Sequence, residues 1–113
     1  MASTITSLNR NIDFRRAYSR GKVYSNPALV TYVARTRAGI CRVGITTSKK
    51  IGNAVERNRS RRVIRAAFRT ALPQVEGSWD IVFVARSKTK YLKSTQLEAI
   101  MLAHLKQAGV INR

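Results

Sequence analysis

Acidic residues are scarce in this 113-residue sequence: five Asp and Glu stand against twenty-two Lys and Arg, for a formal charge of +17. Like charges at that density repel unless a polyanion neutralises them, so nucleic acid is the expected partner. Cysteine is nearly missing as well. Cys41 alone can form neither an internal disulfide nor a thiolate metal site, which suits a reducing, cytoplasmic setting. No stretch approaches the roughly 18 apolar residues of a membrane span, and the opening MASTITSLNRNIDFRR has no apolar centre. Neither membrane insertion nor export is expected. The lone histidine, His104, has no neighbouring acid or second histidine to complete a triad or metal set, and reads as structural. Asp13, Glu56, Glu76, Asp80 and Glu98 are scattered, so no carboxylate pair announces a hydrolytic centre. The expectation is no catalytic residue and no metal ligand on the protein itself.

What is present is enough apolar residue, 44% of the chain, to pack one compact domain over residues 1–113. Asn11 to Ser19 reads as a short helix, with Asn11 as candidate N-cap and Gly21 just past its last turn. A β-branched run from about Ala28 to Arg35 reads as a strand. After turn chemistry at TRAG, a second run follows with Cys41, Val43, Ile45 and Thr47 on one side, and the two are expected to pair as an antiparallel hairpin. Gly52-Asn53 ends that alternation, and helical spacing takes over to about Leu72, before Pro73. Trp79 to Arg86 is apolar almost throughout, as a central buried strand would be. Thr95 and Glu98 match a capping box for a last helix that stacks Leu97, Met101 and Leu105 and closes at Gly109. Helices packed on a small sheet are the expected architecture.

The segment from Lys49 to Arg69 carries eight basic residues (Lys49, Lys50, Arg57, Arg59, Arg61, Arg62, Arg65 and Arg69) and one acid, Glu56. On a helical wheel Ile64, Ala67, Phe68 and Ala71 form a core-facing stripe of about 100°. Asn58, Arg61, Arg62, Arg65 and Arg69 form a second arc beside it, an arginine ridge. Arg57 falls over the apolar stripe, and an unpaired buried guanidinium is expensive, so the first turn must project beyond the core as a tip of Arg57, Asn58 and Arg59. Free amides and a positive dipole end at that tip, near Lys49 and Lys50, suit phosphate. A ridge of arginine rather than lysine favours forked contacts with the phosphates of structured RNA or DNA. A merely solvated face is the bland alternative, yet one acid is available to pair with eight bases.

The stretch GITTSKKIGNAVERNRSRRVIRAAFR resembles the signature segment of the protein subunit of bacterial ribonuclease P, most diagnostically at Ser48-Lys49-Lys50, Gly52-Asn53-Ala54-Val55 and Arg57-Asn58-Arg59. DFRRAYSRGK and the strand holding Tyr32 extend the likeness to essentially the whole chain. The resemblance implies an α/β (α+β) sandwich: a four-stranded mixed sheet, about three helices and a left-handed βαβ crossover. It implies a subunit of an endoribonuclease holoenzyme that removes the 5′ leader from precursor tRNA, with the RNA subunit and its Mg2+ performing the chemistry. Catalytic-RNA contacts would come from Lys49, Lys50, Asn53, Arg57, Asn58, Arg59, Arg61, Arg62, Arg65 and Arg69. Phe14, Tyr18 and Tyr32 would bind the single-stranded leader, with base stacking serving single strands and phosphate contacts serving folded RNA. The implied partners are the catalytic RNA and precursor tRNA, with no membrane and no obligatory protein partner. From spacing alone Phe14, Tyr18 and Tyr32 also fit a protein core. A ribosomal or other structural RNA-binding protein is the alternative function, and a major-groove DNA binder is disfavoured by a ridge of almost pure arginine.

Overall fold

The computed structural model describes residues 6–37 and 39–111. Among them, five strands and three α-helices follow in order: β1 (Thr6–Ser7), α1 (Asn11–Arg20), β2 (Lys22–Asn26), β3 (Leu29–Arg35), β4 (Cys41–Thr46), α2 (Ala54–Ala71), β5 (Trp79–Ala85) and α3 (Ser94–Ala108). The α/β class is as expected, but the mixed sheet has five strands rather than four, in the order β1-β4-β5-β3-β2. The near-continuous apolar run of β5 explains its central position, because a strand buried on both faces needs a neighbour on each edge.

That demand also overturns the expected hairpin. β3 and β4 do not pair; β5 lies between them, antiparallel to β3 and parallel to β4. Alternation reports that a strand is half-buried and says nothing of its neighbour. The hairpin forms instead between β2 and β3, where Asn26 Oδ1 accepts the Ala28 N–H at 2.8 Å and closes the turn. β2 went unread because it lies at the sheet edge and is mostly exposed.

Two helix starts also differ from the sequence reading. Arg10, not Asn11, occupies the cap of α1, and its Nε donates to Asp13 at 3.2 Å instead of capping. α3 begins at Ser94, so Thr95 lies inside the helix, and it is Gln96 Oε1 that accepts the Lys93 N–H at 2.9 Å. Gly109 closes α3 in the left-handed conformation (φ 82°), as expected of a C-terminal glycine.

The sheet's two faces are covered unequally. On one, α2 lays Ile64, Ala67, Phe68 and Ala71 and α3 lays Leu97, Met101 and Leu105 over Leu29, Val43, Ile81 and Phe83. All four residues of the expected α2 stripe are buried. Among the described residues, α1 is the one helix that packs on the other face, through Ala17 on Val82 with Leu8, leaving Phe14, Tyr32 and Val84 partly open. A large core on one side and a single short helix on the other is the division that creates the candidate site.

His104 is buried in the larger layer, with Nδ1 2.8 Å from Thr31 Oγ1, and burial holds its pKa below the ordinary imidazole value of 6.5. The folded protein therefore binds this proton less readily than the unfolded chain does. The stabilising contribution is complete above 6.5 and is lost as the pH falls through the lower folded-state value. A urea midpoint that drops between about pH 7 and 5 should drop less in His104→Gln; equal pH slopes would refute the assignment.

Candidate RNA interface

The basic helix is locked at its start. Asn53 Oδ1 accepts the Glu56 N–H at 2.9 Å while Glu56 Oε1 accepts the Asn53 N–H at 3.0 Å, a reciprocal box that satisfies two otherwise orphaned donors. Glu56 Oε2 also meets Lys90 Nζ at 3.0 Å, and this ammonium, with the Asn53 amide, holds the carboxyl below the usual range. Gly52 makes room for that acid. At φ 140° it occupies backbone space other residues avoid, and any Cβ there would collide with Glu56 Oε1. The one acid of the basic segment is thus a structural brace, and Asn53, expected to touch RNA, spends its side-chain oxygen on the cap.

Lys49 and Lys50 form an exposed 3-10 turn just before the cap. Asn58 and Arg59 are exposed as expected, and Arg59 Nε donates to Lys90 O at 3.0 Å. Arg57 departs from the expected tip: it is half-buried and folds back, donating from Nη1 to Gly52 O at 3.0 Å. A backbone carbonyl supplies the partner that the wheel argument assumed was lacking. Lys90 and Tyr91, which the reading missed, sit against this turn; Tyr91 is 76% exposed, with Lys90 Nζ 5.3 Å from its ring centre. Their sequence distance from the helix gave no signal.

Arg61, Arg62, Arg65 and Arg69 are all exposed, and Asn58, Arg61, Arg62 and Arg65 line one groove together with Val55. Arg61 and Arg65 also reach around the sheet edge. With Ser7, Leu8, Asn9, Gly44 and Phe14 they border a hollow of about 210 Å³. The arginine ridge and Phe14, one of the three expected leader-binding rings, meet there.

Phe14, Tyr18 and Tyr32 come together on the half-open face. Phe14 packs its ring on Gly44, so closely that a Cβ at Gly44 would meet Phe14 Cε1. The Tyr18 and Tyr32 rings meet edge to face at 4.9 Å and 82°, and the Tyr18 hydroxyl is 2.9 Å from Thr46 Oγ1. Tyr18 remains 38% exposed. Such rings, partly buried for rigidity and open at an edge or face, are suited to stacking on bases.

α1, which carries two of the three rings, is fastened by ion pairs. Asp13, buried, lies 3.2 Å from Arg10 Nε, 3.9 Å from Arg16 and 3.8 Å from Arg42. The hydrogen bond from Arg10 depresses its pKa most, with help from the other two guanidinium charges. Arg42 forks onto buried Asp80 at 2.9 and 2.8 Å, which raises the arginine's own pKa. Among the described residues, no three His, Cys, Asp or Glu side chains gather where they could hold a metal ion.

A ribonuclease P family model matches residues 3–109. The ribonuclease P protein component of Clostridium novyi is 42% identical, over 93% of this chain and 95% of that protein. The Staphylococcus aureus ribonuclease P protein structure superposes with a TM-score of 0.82 at 33% identity, covering 96% of this chain and all of that one. The Thermotoga maritima protein gives 0.78 at 26% identity, covering 89% and 96%. A match of this extent in both sequence and fold, on a chain with a braced arginine helix beside an aromatic cleft, places it in the ribonuclease P protein family.

Proposed function

We propose that this chain joins the catalytic RNA subunit of ribonuclease P and guides precursor tRNA into the assembled enzyme. The family's role is the processing of tRNA 5′ leaders. The observation that carries the residue assignment is the hollow in which Phe14 meets Arg61 and Arg65, with the Tyr18–Tyr32 ring pair on the same sheet face, a stacking strip whose Phe14 end borders a cationic edge. Single-stranded leader lies along the strip, and folded RNA is gripped by Lys49, Lys50, Asn58, Arg59, Arg62 and Arg69. Mg2+ held chiefly by the RNA supplies the hydrolytic chemistry, while these side chains bind and orient. The assembly acts in the cytoplasm. No helix among the described residues is long and apolar enough to cross a membrane. A purely structural RNA-binding protein would share the charge but leave the aromatic strip without a task.

The test is reconstitution with ribonuclease P RNA at low Mg2+ and a leader-bearing precursor. Protein-dependent 5′ cleavage is expected, and its absence overturns the reading. In the same system Arg65→Ala should weaken binding at every salt concentration and flatten the log-log salt slope by roughly 1, as loss of one phosphate contact does. An unchanged slope would remove Arg65 from the interface.

A further inference from the structure

α1 divides the half-open sheet face into two flanks. Asp13 and Ala17 point inward and are buried. At about 100° per residue, Phe14 and Tyr18 fall to one side of Ala17, and Arg16 and Arg20 to the other. The second flank holds a larger hollow of about 730 Å³ lined by Arg16, Arg20, Arg35, Thr36, Arg37 and Arg42. It lies at the end of the sheet where Arg35 pairs with Trp79. The α2 tip is at the other end, against Lys90 beyond Ala85.

The arginines of this hollow are not equally committed. Arg42 is neutralised by Asp80, and Arg16 is 3.9 Å from Asp13. Arg35 lies over the Trp79 ring at 5.2 Å, a contact that fixes the guanidinium and leaves its charge. Arg20 and Arg37 are exposed, and among the described residues neither has a carboxylate within 4.0 Å. Three uncompensated guanidinium groups on one concave surface repel each other, and a bound polyanion relieves that repulsion.

We infer that this hollow is a second phosphate-binding surface, which grips the backbone of the folded RNA subunit at the end of the protein opposite the Asn58-Arg59 tip. Its chemistry is that of backbone rather than base recognition. The one ring nearby, Trp79, is 8% exposed and covered by Arg35, so nothing offers a stacking platform, whereas guanidinium forks match phosphate oxygens. A leader lying on Phe14 and Tyr18 would have to cross the outer side of α1, where Tyr18, Arg16 and Arg20 line one shallow hollow, before reaching Arg35 and Arg37. Two grips at opposite ends of a rigid sheet fix the protein's orientation on the RNA, which a single tip contact leaves free to pivot. The inference rests on the proposed partnership with that RNA.

The double variant Arg20→Gln/Arg37→Gln tests it, because both side chains are exposed and outside the Asp13 and Asp80 ion pairs. Binding to transcribed ribonuclease P RNA should weaken roughly tenfold or more, with a log-log salt slope shallower by about 2. Discrimination between precursor and mature tRNA by the assembled enzyme should be unchanged, and circular dichroism and melting should match the parent. Parent and variant binding alike, with equal slopes, would overturn the inference. So would unchanged RNA-subunit affinity with weaker binding of mature tRNA, or a selective loss for precursor, which would assign the hollow to the substrate body or the leader. Failure of the parent protein to bind the RNA at all would overturn the partnership itself, and the inference with it.

Discussion

Phe14→Ala should lower the assembled enzyme's preference for precursor over mature tRNA by roughly 1–3 kcal/mol, about 5- to 150-fold, if one leader base stacks on the ring. The ring has a second task, since it packs on Gly44 and beside Leu8 and Val82. Alanine would therefore also loosen that small cluster, and the two effects must be separated. Phe14→Leu retains most of the apolar burial and removes the flat π-face. The leucine variant should melt close to the parent and still lose much of the preference. Parent-like discrimination by Phe14→Leu would mean that the ring serves packing, and the cleft assignment would fall.

Asp80→Asn should lower the free energy of unfolding by about 3 kcal/mol, as is typical when one partner of a buried ion pair is removed. For a domain of this size that corresponds to a melting point lower by roughly 10 °C. The cause is Arg42, only 20% exposed along its side chain, which would keep a single acidic neighbour, Asp13 at 3.8 Å. A second readout ties the effect to charge rather than to generic loosening. Burial, with Asp80 adding to it, pushes the Cys41 thiol up to about 12. Thiol titration in Asp80→Asn should therefore give a lower value, with faster alkylation of Cys41 at a given alkaline pH. A parent-like melt with an unchanged thiol would show that the Arg42–Asp80 fork contributes nothing net.

These two sites show where the sequence was readable. The apolar stripe of α2 was legible because Ile64, Ala67, Phe68 and Ala71 recur at helical spacing, and all four are buried. The central place of β5 was legible because no half-exposed strand is apolar almost throughout. The pairing of β3 with β5 was not, since period-two alternation specifies a face and leaves the neighbour open. The fold-back of Arg57 was not either: its partner is a backbone carbonyl, and carbonyls carry no sequence signal.

The sequence by itself determined a nucleic-acid partner through its charge imbalance, a basic helix through its periodicity, and a family through its motif. Only the tertiary structure decided what each charged group does. Glu56 became a brace because Gly52 leaves it room and Lys90, thirty-four residues away, meets it. Arg16 and Arg20 were turned toward Arg35 and Arg37, and away from Phe14, because α1 rests on Ala17. Periodicity sorts residues around one element, whereas a charge acts through whatever the fold brings within a few ångströms of it, and those neighbours are distant in sequence.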